Sequence, residues 1–335
     1  MPVEIITHES RLLADNPLGD PATRSVGVYL PPGYDGTRRF PTVMVLTGFT
    51  GTGLSLLNST PWEPNLAARM DSLVAAGRAR PAILILPDCF TRYGGSQYAD
   101  SPAIGRYQSY LLDEVLPLVE ARYRCIAAPE GRAVVGKSSG GYGALALVMD
   151  RPGTFAAAGS HAGDAAFHIC YGRDFPSVLL QLERKGGIAP YLAWFESQVT
   201  KPSSSIEVMS HLCSAAAWSP SSTGPYGFGV GFRLPFAERT GEVVPEVFAR
   251  WLAHDPVERA SDPAVIATLK SLRALYLDAG LQDEYFLQLG ARQLSARLTA
   301  AGVAHVHEEF DGTHRGIQHR YDRSLAVLTE VLAST

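Results

Sequence analysis

Short apolar runs of strand length alternate with amphipathic stretches along most of this chain. The predicted strands are residues 26–30, 42–46, 82–86, 133–136, 155–160, 274–277 and 303–310. The predicted helices, in which apolar residues recur every three or four positions, are 65–76, 109–122, 143–149, 285–300 and 321–332. Uniformly apolar strands that alternate with helices indicate an α/β fold, with a mostly parallel central sheet and helices on both faces.

This alternation breaks between residues 165 and 261. The segment contains the loop-forming stretches 201–205 and 219–225. It is also rich in aromatic residues: Tyr191, Trp194, Phe195, Trp218, Tyr226, Phe228, Phe232 and Phe236. We therefore predict a single domain, residues 1–335, with a lid-like subdomain inserted at 165–261. The aromatic residues form a small core of their own, line an acyl or aryl pocket, or do both.

The stretch from Gly136 to Gly140 reads Gly-Lys-Ser-Ser-Gly and lies between a predicted strand and a predicted helix. G-x-S-x-G in this context is typical of a nucleophile elbow, a strained turn that exposes a serine hydroxyl above the sheet. Ser138 has a glycine two residues away on each side, whereas Ser139 follows Lys137 at that spacing. We predict that Ser138 is the nucleophile. The alternative is a glycine-rich turn that only packs closely.

A serine nucleophile requires a base and a group that orients the base. His314 lies in the turn-rich loop 310–316, between the last predicted strand and the last predicted helix, and is the predicted base. His319 is the alternative. The other histidines that we weighed precede the fold, lie in the insertion, occupy a predicted strand or end a different one: His8, His211, His254, His305, His307 and His161.

The predicted acid is Asp283, which lies at the tip of the loop that follows strand 274–277. A carboxylate at a loop tip is better placed to reach a histidine on a neighbouring loop than one at a strand end. Asp278 ends the strand and is interpreted as a structural cap of the Gly280 turn. Glu284 remains an alternative acid.

Transition-state charge requires backbone donors near the nucleophile. We predict that the N–H groups of Ser139 and Phe49 form the oxyanion hole, with Phe49 in the glycine-rich loop 47–53. A phosphate-binding loop is the weaker interpretation of that segment, because no Gly-Lys-Ser/Thr follows the glycines. Further candidates for substrate binding are Gly48, Gln97, His161 and Asp164, for which structural hydrogen bonds are the alternative.

Composition narrows the class of protein. Of the 335 residues, 46% are hydrophobic and 19% are charged, and the net charge is −4, which gives no reason to expect nucleic acid as a partner. No membrane-span-length apolar run and no secretory signal is visible, so we expect a cytoplasmic protein. No metal or cofactor motif is visible. The cysteines Cys89, Cys125, Cys170 and Cys213 are expected as free thiols, with a Cys170–Cys213 bridge as the alternative in an oxidising compartment.

Several of these segments together resemble the esterase-D-like branch of the α/β-hydrolases. This branch includes S-formylglutathione hydrolases, enterochelin-esterase-like and feruloyl-type esterases, and mycolyltransferases. The matching segments are 28–35, 46–51, 105–107, 112–115, 136–144, 280–283 and 311–314. The resemblance implies an α/β-hydrolase fold and the same triad and oxyanion hole. Lys137 stands where relatives often have histidine, and Thr47 where many have histidine or serine.

These features together predict a serine ester hydrolase that acts on a small-molecule ester through an acyl-enzyme, without a cofactor. An acyltransferase or a thioester hydrolase with the same triad is the alternative. A peptidase and a non-catalytic binding protein are weaker alternatives. The aromatic insertion favours larger esters, and the sequence leaves the oligomeric state open.

Overall fold

The structure is a computed structural model that describes residues 3–222 and 227–333. Tyr226 and the end of the predicted loop 219–225 lie outside the described residues. The strands within the described ranges are β1 (Val3–Glu9), β2 (Thr23–Tyr29), β3 (Thr42–Leu46), β4 (Ile83–Pro87), β5 (Asp100–Ser101), β6 (Gly105–Arg106), β7 (Arg132–Lys137), β8 (Ala157–His161), β9 (Ala274–Gly280) and β10 (Val306–Phe310).

Eight of these strands form one sheet, in the order β1-β2-β4-β3-β7-β8-β9-β10. Strand β2 pairs antiparallel with both of its neighbours, and all the other pairings in the sheet are parallel. The short strands β5 and β6 form a separate antiparallel pair. The mostly parallel sheet predicted from the apolar runs is therefore confirmed.

Helices cover both faces of the sheet. They are α1 (Leu66–Ala75), α2 (Tyr107–Ser109), α3 (Leu116–Arg122), α4 (Ser139–Asp150), α5 (Phe167–Cys170), α6 (Phe175–Glu183), α7 (Ile188–Ser197), α8 (Ser205–Trp218), α9 (Pro245–Leu252), α10 (Pro256–Arg259), α11 (Pro263–Lys270), α12 (Leu287–Ala300) and α13 (Tyr321–Val331). Successive strand residues point to opposite faces. Accordingly, Val135 belongs to the core with α1 and α13, whereas Val134 belongs to the core with α4 and α12.

The structure differs from the predictions in several places. Strand β1 was not predicted, because most of its side chains are exposed or half-buried at the sheet edge and give no apolar run. His8, which was expected to precede the fold, lies in this strand and contacts Glu114. The predicted helix 109–122 contains a π-helical segment, Tyr110–Val115, before α3.

Within residues 165–222 and 227–261, the insertion contains helices α5 to α10. Aromatic rings from this segment pack against one another: Trp218 lies 4.8 Å from Phe167 and 5.3 Å from Trp251, measured between ring centroids. The buried residues Phe232 and Phe236 belong to the same hydrophobic core as α4 and α12. The segment therefore has a core that is continuous with the main one, and its role as a lid remains a proposal.

Candidate active site

The turn between β7 and α4 has the geometry of a nucleophile elbow. Ser138 has φ 59° and ψ −128°, a strained combination for a residue with a side chain. A Cβ at Gly136 would overlap the carbonyl oxygen of Gly140, and a Cβ at Gly140 would overlap that of Leu46. Both flanking glycines are therefore required because backbone segments cross at this turn.

The structure brings the three predicted triad residues together. His314 Nε2 lies 3.0 Å from Ser138 Oγ, and His314 Nδ1 lies 2.8 Å from Asp283 Oδ2. The second carboxylate oxygen of Asp283 accepts a hydrogen bond from the Tyr285 backbone N–H over 2.9 Å. The carboxylate of Asp283 is buried and the imidazole of His314 is nearly so, which limits competition by water for these hydrogen bonds.

The loops that carry the acid and the base are in direct backbone contact. Gln282 donates its backbone N–H to the Gly312 carbonyl over 2.9 Å, and a Cβ at Gly280 would overlap that same carbonyl oxygen. Glu284, the alternative acid, accepts a hydrogen bond from the backbone N–H of His314 over 2.7 Å and does not contact the imidazole. Its carboxylate therefore fixes the loop rather than the base.

His161 and Asp278 form a separate buried pair, away from the triad. His161 Nδ1 lies 2.7 Å from Asp278 Oδ1, and its Nε2 lies 2.7 Å from Ser324 Oγ. The other Asp278 oxygen accepts hydrogen bonds from Tyr276 and Arg320. His161, and after it Arg320, holds the pKa of the Asp278 carboxyl below its usual value despite burial. The prediction that His161 contacts substrate is not supported, because its side chain faces α13 and does not line the cavity described below.

The loop after β3 lies against the elbow. A Cβ on Gly48 would come 3.3 Å from Ser138 Cβ, so the loop backbone approaches the nucleophile closely. Two neighbouring amides are already used: Thr50 N–H donates to Gly94 O over 2.8 Å, and Gly51 N–H donates to Gly48 O over 2.9 Å. The Phe49 ring packs on the Gly94–Gly95 backbone, where a Cβ at Gly95 would meet it at 2.8 Å.

Gln97 was predicted to contact substrate, but the structure gives it a different position. It is buried, does not line the cavity, and accepts a hydrogen bond from the Ser139 hydroxyl over 2.7 Å. Its amide nitrogen donates to Ser214 Oγ over 2.9 Å and to the Tyr171 hydroxyl over 3.2 Å. Gln97 therefore connects the residue after Ser138 to the insertion. Sequence alone did not show this, because a loop glutamine gives no indication of which way it faces.

A cavity of about 690 Å³ opens at Ser138 and His314. Gly48, Phe49, Ser139 and Asp164 also line it, so four of the predicted contact residues are at its wall. The insertion contributes mainly polar residues to the lining, namely Asp174, Ser203, Glu207, Ser210 and His211, together with Cys170, Tyr171 and Ile206. None of the described aromatic residues predicted to line an acyl pocket does so, because they pack into or against the hydrophobic core that the insertion shares with the rest of the domain.

Two ionisable groups in the cavity have shifted pKa values. Burial raises the pKa of Asp164 to about 6, and its carboxylate accepts a hydrogen bond from the Tyr171 hydroxyl over 2.7 Å. Burial lowers the pKa of Lys137, although Asp283 and Glu284 oppose this shift. The cavity wall therefore carries a carboxyl group and an amine whose pKa values are both shifted by burial.

Three further observations concern the cysteines, the side chains that could bind a metal ion and the helices that could cross a membrane. Cys89, Cys125, Cys170 and Cys213 are all buried and unpaired, so the alternative bridge is not formed. No group of three or more His, Cys, Asp or Glu side chains with the geometry of a metal site is found within residues 3–222 and 227–333. In the same ranges, every helix is too short or too polar to cross a membrane.

Comparisons with known proteins agree with the motif resemblance. The family model described as "Putative esterase" matches residues 21–322. Esterase Rv1288 of Mycobacterium tuberculosis (strain ATCC 25618 / H37Rv) is 34% identical over 105 residues, which are 30% of this chain and 21% of that protein. The chain thus spans about a fifth of the length of this curated relative.

Solved structures show the same fold. A ferulic acid esterase has a TM-score of 0.63 and 20% identity, with 99% of this chain and 98% of that chain covered. An S-formylglutathione hydrolase from Agrobacterium tumefaciens has a TM-score of 0.56 and 16% identity, with coverages of 99% and 95%. Sequence identities this low show only that the fold is shared. The family model, by contrast, matches most of the chain and shows the family. The chain therefore belongs to this esterase family and has the α/β-hydrolase fold, as its motifs predicted.

Proposed function

We propose that this protein is a serine ester hydrolase that acts through an acyl-enzyme on a small-molecule ester. The observation that carries this proposal is the position of His314, whose two ring nitrogens lie within hydrogen-bond distance of Ser138 and Asp283. Such a base can accept the serine proton while the carboxylate fixes its tautomer and stabilises the imidazolium. The family match supports ester bonds as the target.

In the proposed reaction, Ser138 Oγ attacks the ester carbonyl and His314 takes its proton. His314 then returns that proton to the leaving alcohol, and the acyl-enzyme is hydrolysed by water that His314 activates in the same way. The developing oxyanion accepts hydrogen bonds from the backbone N–H groups of Ser139 and Phe49. Ser139 begins helix α4, whose amino-terminal end also favours negative charge.

The lining of the cavity bears on the substrate. The aromatic rings of the insertion are packed in the core, so the structural reason for preferring large aromatic esters is absent. Polar and charged groups dominate the described part of the insertion's wall. We therefore expect turnover of esters with polar substituents, and hydrolysis rather than transfer because the polar wall does not exclude water.

The direct experiment compares hydrolysis of p-nitrophenyl acetate and butyrate by wild type, Ser138→Ala and His314→Ala. Each variant is expected to lose at least about a thousandfold in kcat while retaining the wild-type circular dichroism spectrum and thermal midpoint. His319→Ala is the matched control on the same loop segment and is expected to retain activity. Activity of Ser138→Ala within tenfold of wild type would contradict the proposal.

A further inference from the structure

Asp164 follows strand β8 and places a carboxylate in the wall of the cavity that contains the triad. Its Oδ2 accepts the hydrogen bond from the Tyr171 hydroxyl over 2.7 Å. Its Oδ1 has no hydrogen-bond donor in the described part of the chain, and it keeps accessible surface, unlike the buried polar atoms that lack a partner. Protein surrounds the carboxylate closely, so this accessible surface faces the cavity. Oδ1 is therefore an acceptor that is open to a ligand.

A chain of hydrogen bonds fixes the position of this carboxylate. Tyr171, which donates to Asp164, accepts a hydrogen bond from the amide of Gln97 over 3.2 Å. Gln97 in turn accepts one from the hydroxyl of Ser139. Tyr171, Gln97 and Ser139 are all buried. The carboxylate is thus held in place relative to the catalytic turn before any ligand arrives, which lowers the cost of binding one.

The charge of Asp164 has no cationic partner in the free protein. Within residues 3–222 and 227–333, no lysine or arginine forms an ion pair with it. Burial raises the pKa of its carboxyl to about 6, and the Tyr171 hydrogen bond and the charge of His314 offset this rise only in part. Asp283, which pairs with His314, adds to the rise. Because a buried charge is costly unless it is paired, this carboxylate would gain from a bound cation.

The adjoining part of the cavity wall also favours a cation. The insertion, which carries Tyr171, contributes the carboxylates of Asp174 and Glu207 to the lining and, among its described residues, no lysine or arginine. Asp174 pairs with Arg173, whereas Glu207 forms no ion pair in the described part of the chain. The cations in the lining come from α1, from the nucleophile elbow and from the loop of the base: Arg69, Lys137 and Arg315. A positive group is therefore attracted to the wall formed by Asp164 and the insertion.

We propose that the ester carries a primary ammonium group and that the carboxylate of Asp164 binds this group. The proposal rests on the proposed ester hydrolysis and adds its specificity. An ammonium supplies three N–H donors and a positive charge, so it can donate to Oδ1 and also neutralise a carboxylate that the Tyr171 hydroxyl contacts only at Oδ2. A hydroxyl group makes the same hydrogen bond but supplies no charge, and the experiment separates the two.

The test uses ester pairs in which an ammonium replaces a hydroxyl. One pair is 4-(aminomethyl)phenyl and 4-(hydroxymethyl)phenyl butyrate, with the group on the leaving alcohol; the other is the p-nitrophenyl esters of 6-aminohexanoic and 6-hydroxyhexanoic acid, with the group on the acyl chain. Wild type at about pH 7.5 is expected to prefer the ammonium about tenfold in kcat/KM in at least one pair. Asp164→Asn should bring that ratio close to one. Glu63→Gln, which removes a negative charge from an exposed part of the same lining, should retain the preference.

A measurement on wild type keeps the test independent of how Asp164→Asn folds. Because the pKa of Asp164 is about 6, the preference should fall several-fold between about pH 7.5 and pH 5, where most of the carboxyl is protonated. His314 and Asp283 are the charged groups that act on Asp164. Their own titration affects both esters of a pair alike and cancels in the ratio.

Three results would each overturn the inference. They are no preference of wild type for the ammonium in either pair, a preference that Asp164→Asn retains or that Glu63→Gln loses equally, and a ratio that does not change with pH. Turnover of the hydroxyl esters and fluorophosphonate labelling of Ser138 report separately on the proposed function. An active, labelled enzyme without the preference would therefore overturn this inference alone, whereas loss of both activities in wild type would overturn the two proposals together.

Discussion

The buried hydroxyl of Ser139, the residue after the nucleophile, donates a hydrogen bond to Oε1 of Gln97 over 2.7 Å. The amide of Gln97 continues to Ser214 on helix α8 and to Tyr171. Because the N–H of Ser139 is a proposed oxyanion donor, this chain of hydrogen bonds connects the insertion to the position of that donor. Hydrogen bonds within the protein thus connect the insertion to the catalytic turn without any contribution from substrate.

Replacing Gln97 with leucine removes the amide that the buried hydroxyls of Ser139, Ser214 and Tyr171 contact. We expect kcat to fall about tenfold with a smaller change in KM, and the free energy of unfolding to fall by about 2 kcal/mol. Steady-state kinetics and urea unfolding measure the two effects. Ser214→Ala is the control, since it breaks the same network without touching Ser139 and should cost stability only. A full wild-type kcat in Gln97→Leu would contradict a positioning role.

The acid can be assigned by comparing two adjacent carboxylates. Asp283→Asn removes the charge that contacts the imidazole and should lower kcat by roughly 10³–10⁴ with little change in KM. Glu284→Gln keeps an acceptor for the His314 backbone N–H and should lower kcat less than about tenfold. Kinetics on a p-nitrophenyl ester distinguish them. A larger loss in Glu284→Gln than in Asp283→Asn would show that the acid is misassigned.

The close packing of backbone at the nucleophile elbow predicts that the fold requires glycine at position 140. A Cβ at Gly140 would overlap the Leu46 and Thr47 carbonyl oxygens, so Gly140→Ala should lower the free energy of unfolding by about 3 kcal/mol or more. Gly172→Ala is the control, because its Cβ would first meet an atom at 3.8 Å. Denaturant unfolding compares the two variants. Equal stability of Gly140→Ala and Gly172→Ala would contradict the close approach of β3 and α4.

Asp164 makes a prediction about pH. Its pKa is raised to about 6 in the folded protein, whereas an unfolded aspartate titrates near 4. The folded state therefore binds more protons between these values, and stability is lost as pH rises through this window. Asp164→Asn removes the effect, so the stability of the variant relative to wild type should grow by about 1 kcal/mol from pH 5 to pH 8. A difference that stays constant or shrinks in urea unfolding would contradict the assignment.

Sequence periodicity located the central strands well, because strands buried on both faces are apolar throughout. It missed β1, whose residues are mostly exposed or half-buried at the edge. It also located α4 four residues late, since the glycines that begin this helix have poor helix propensity and are required by packing. Tertiary contacts thus override local preference at these positions.

The site was harder to predict where a residue's role depends on the direction in which its side chain points. Motif spacing led to Ser138, Asp283 and His314, which the structure brings within hydrogen-bond distance. His161 was misread because a residue at a strand end can face either side of the sheet, and this one faces α13. Arg69 of α1 also lines the cavity of the triad, which no sequence pattern indicated, because only the folded chain brings α1 beside the triad.

The most direct test of the central claim is intact-protein mass spectrometry after incubation with a fluorophosphonate. The account predicts a single covalent adduct on wild type and none on Ser138→Ala, because only a serine activated by His314 should react quickly. Peptide mapping should locate the adduct at Ser138. An unlabelled wild type, or an adduct of equal yield on Ser138→Ala, would contradict the assignment of Ser138 as the activated nucleophile.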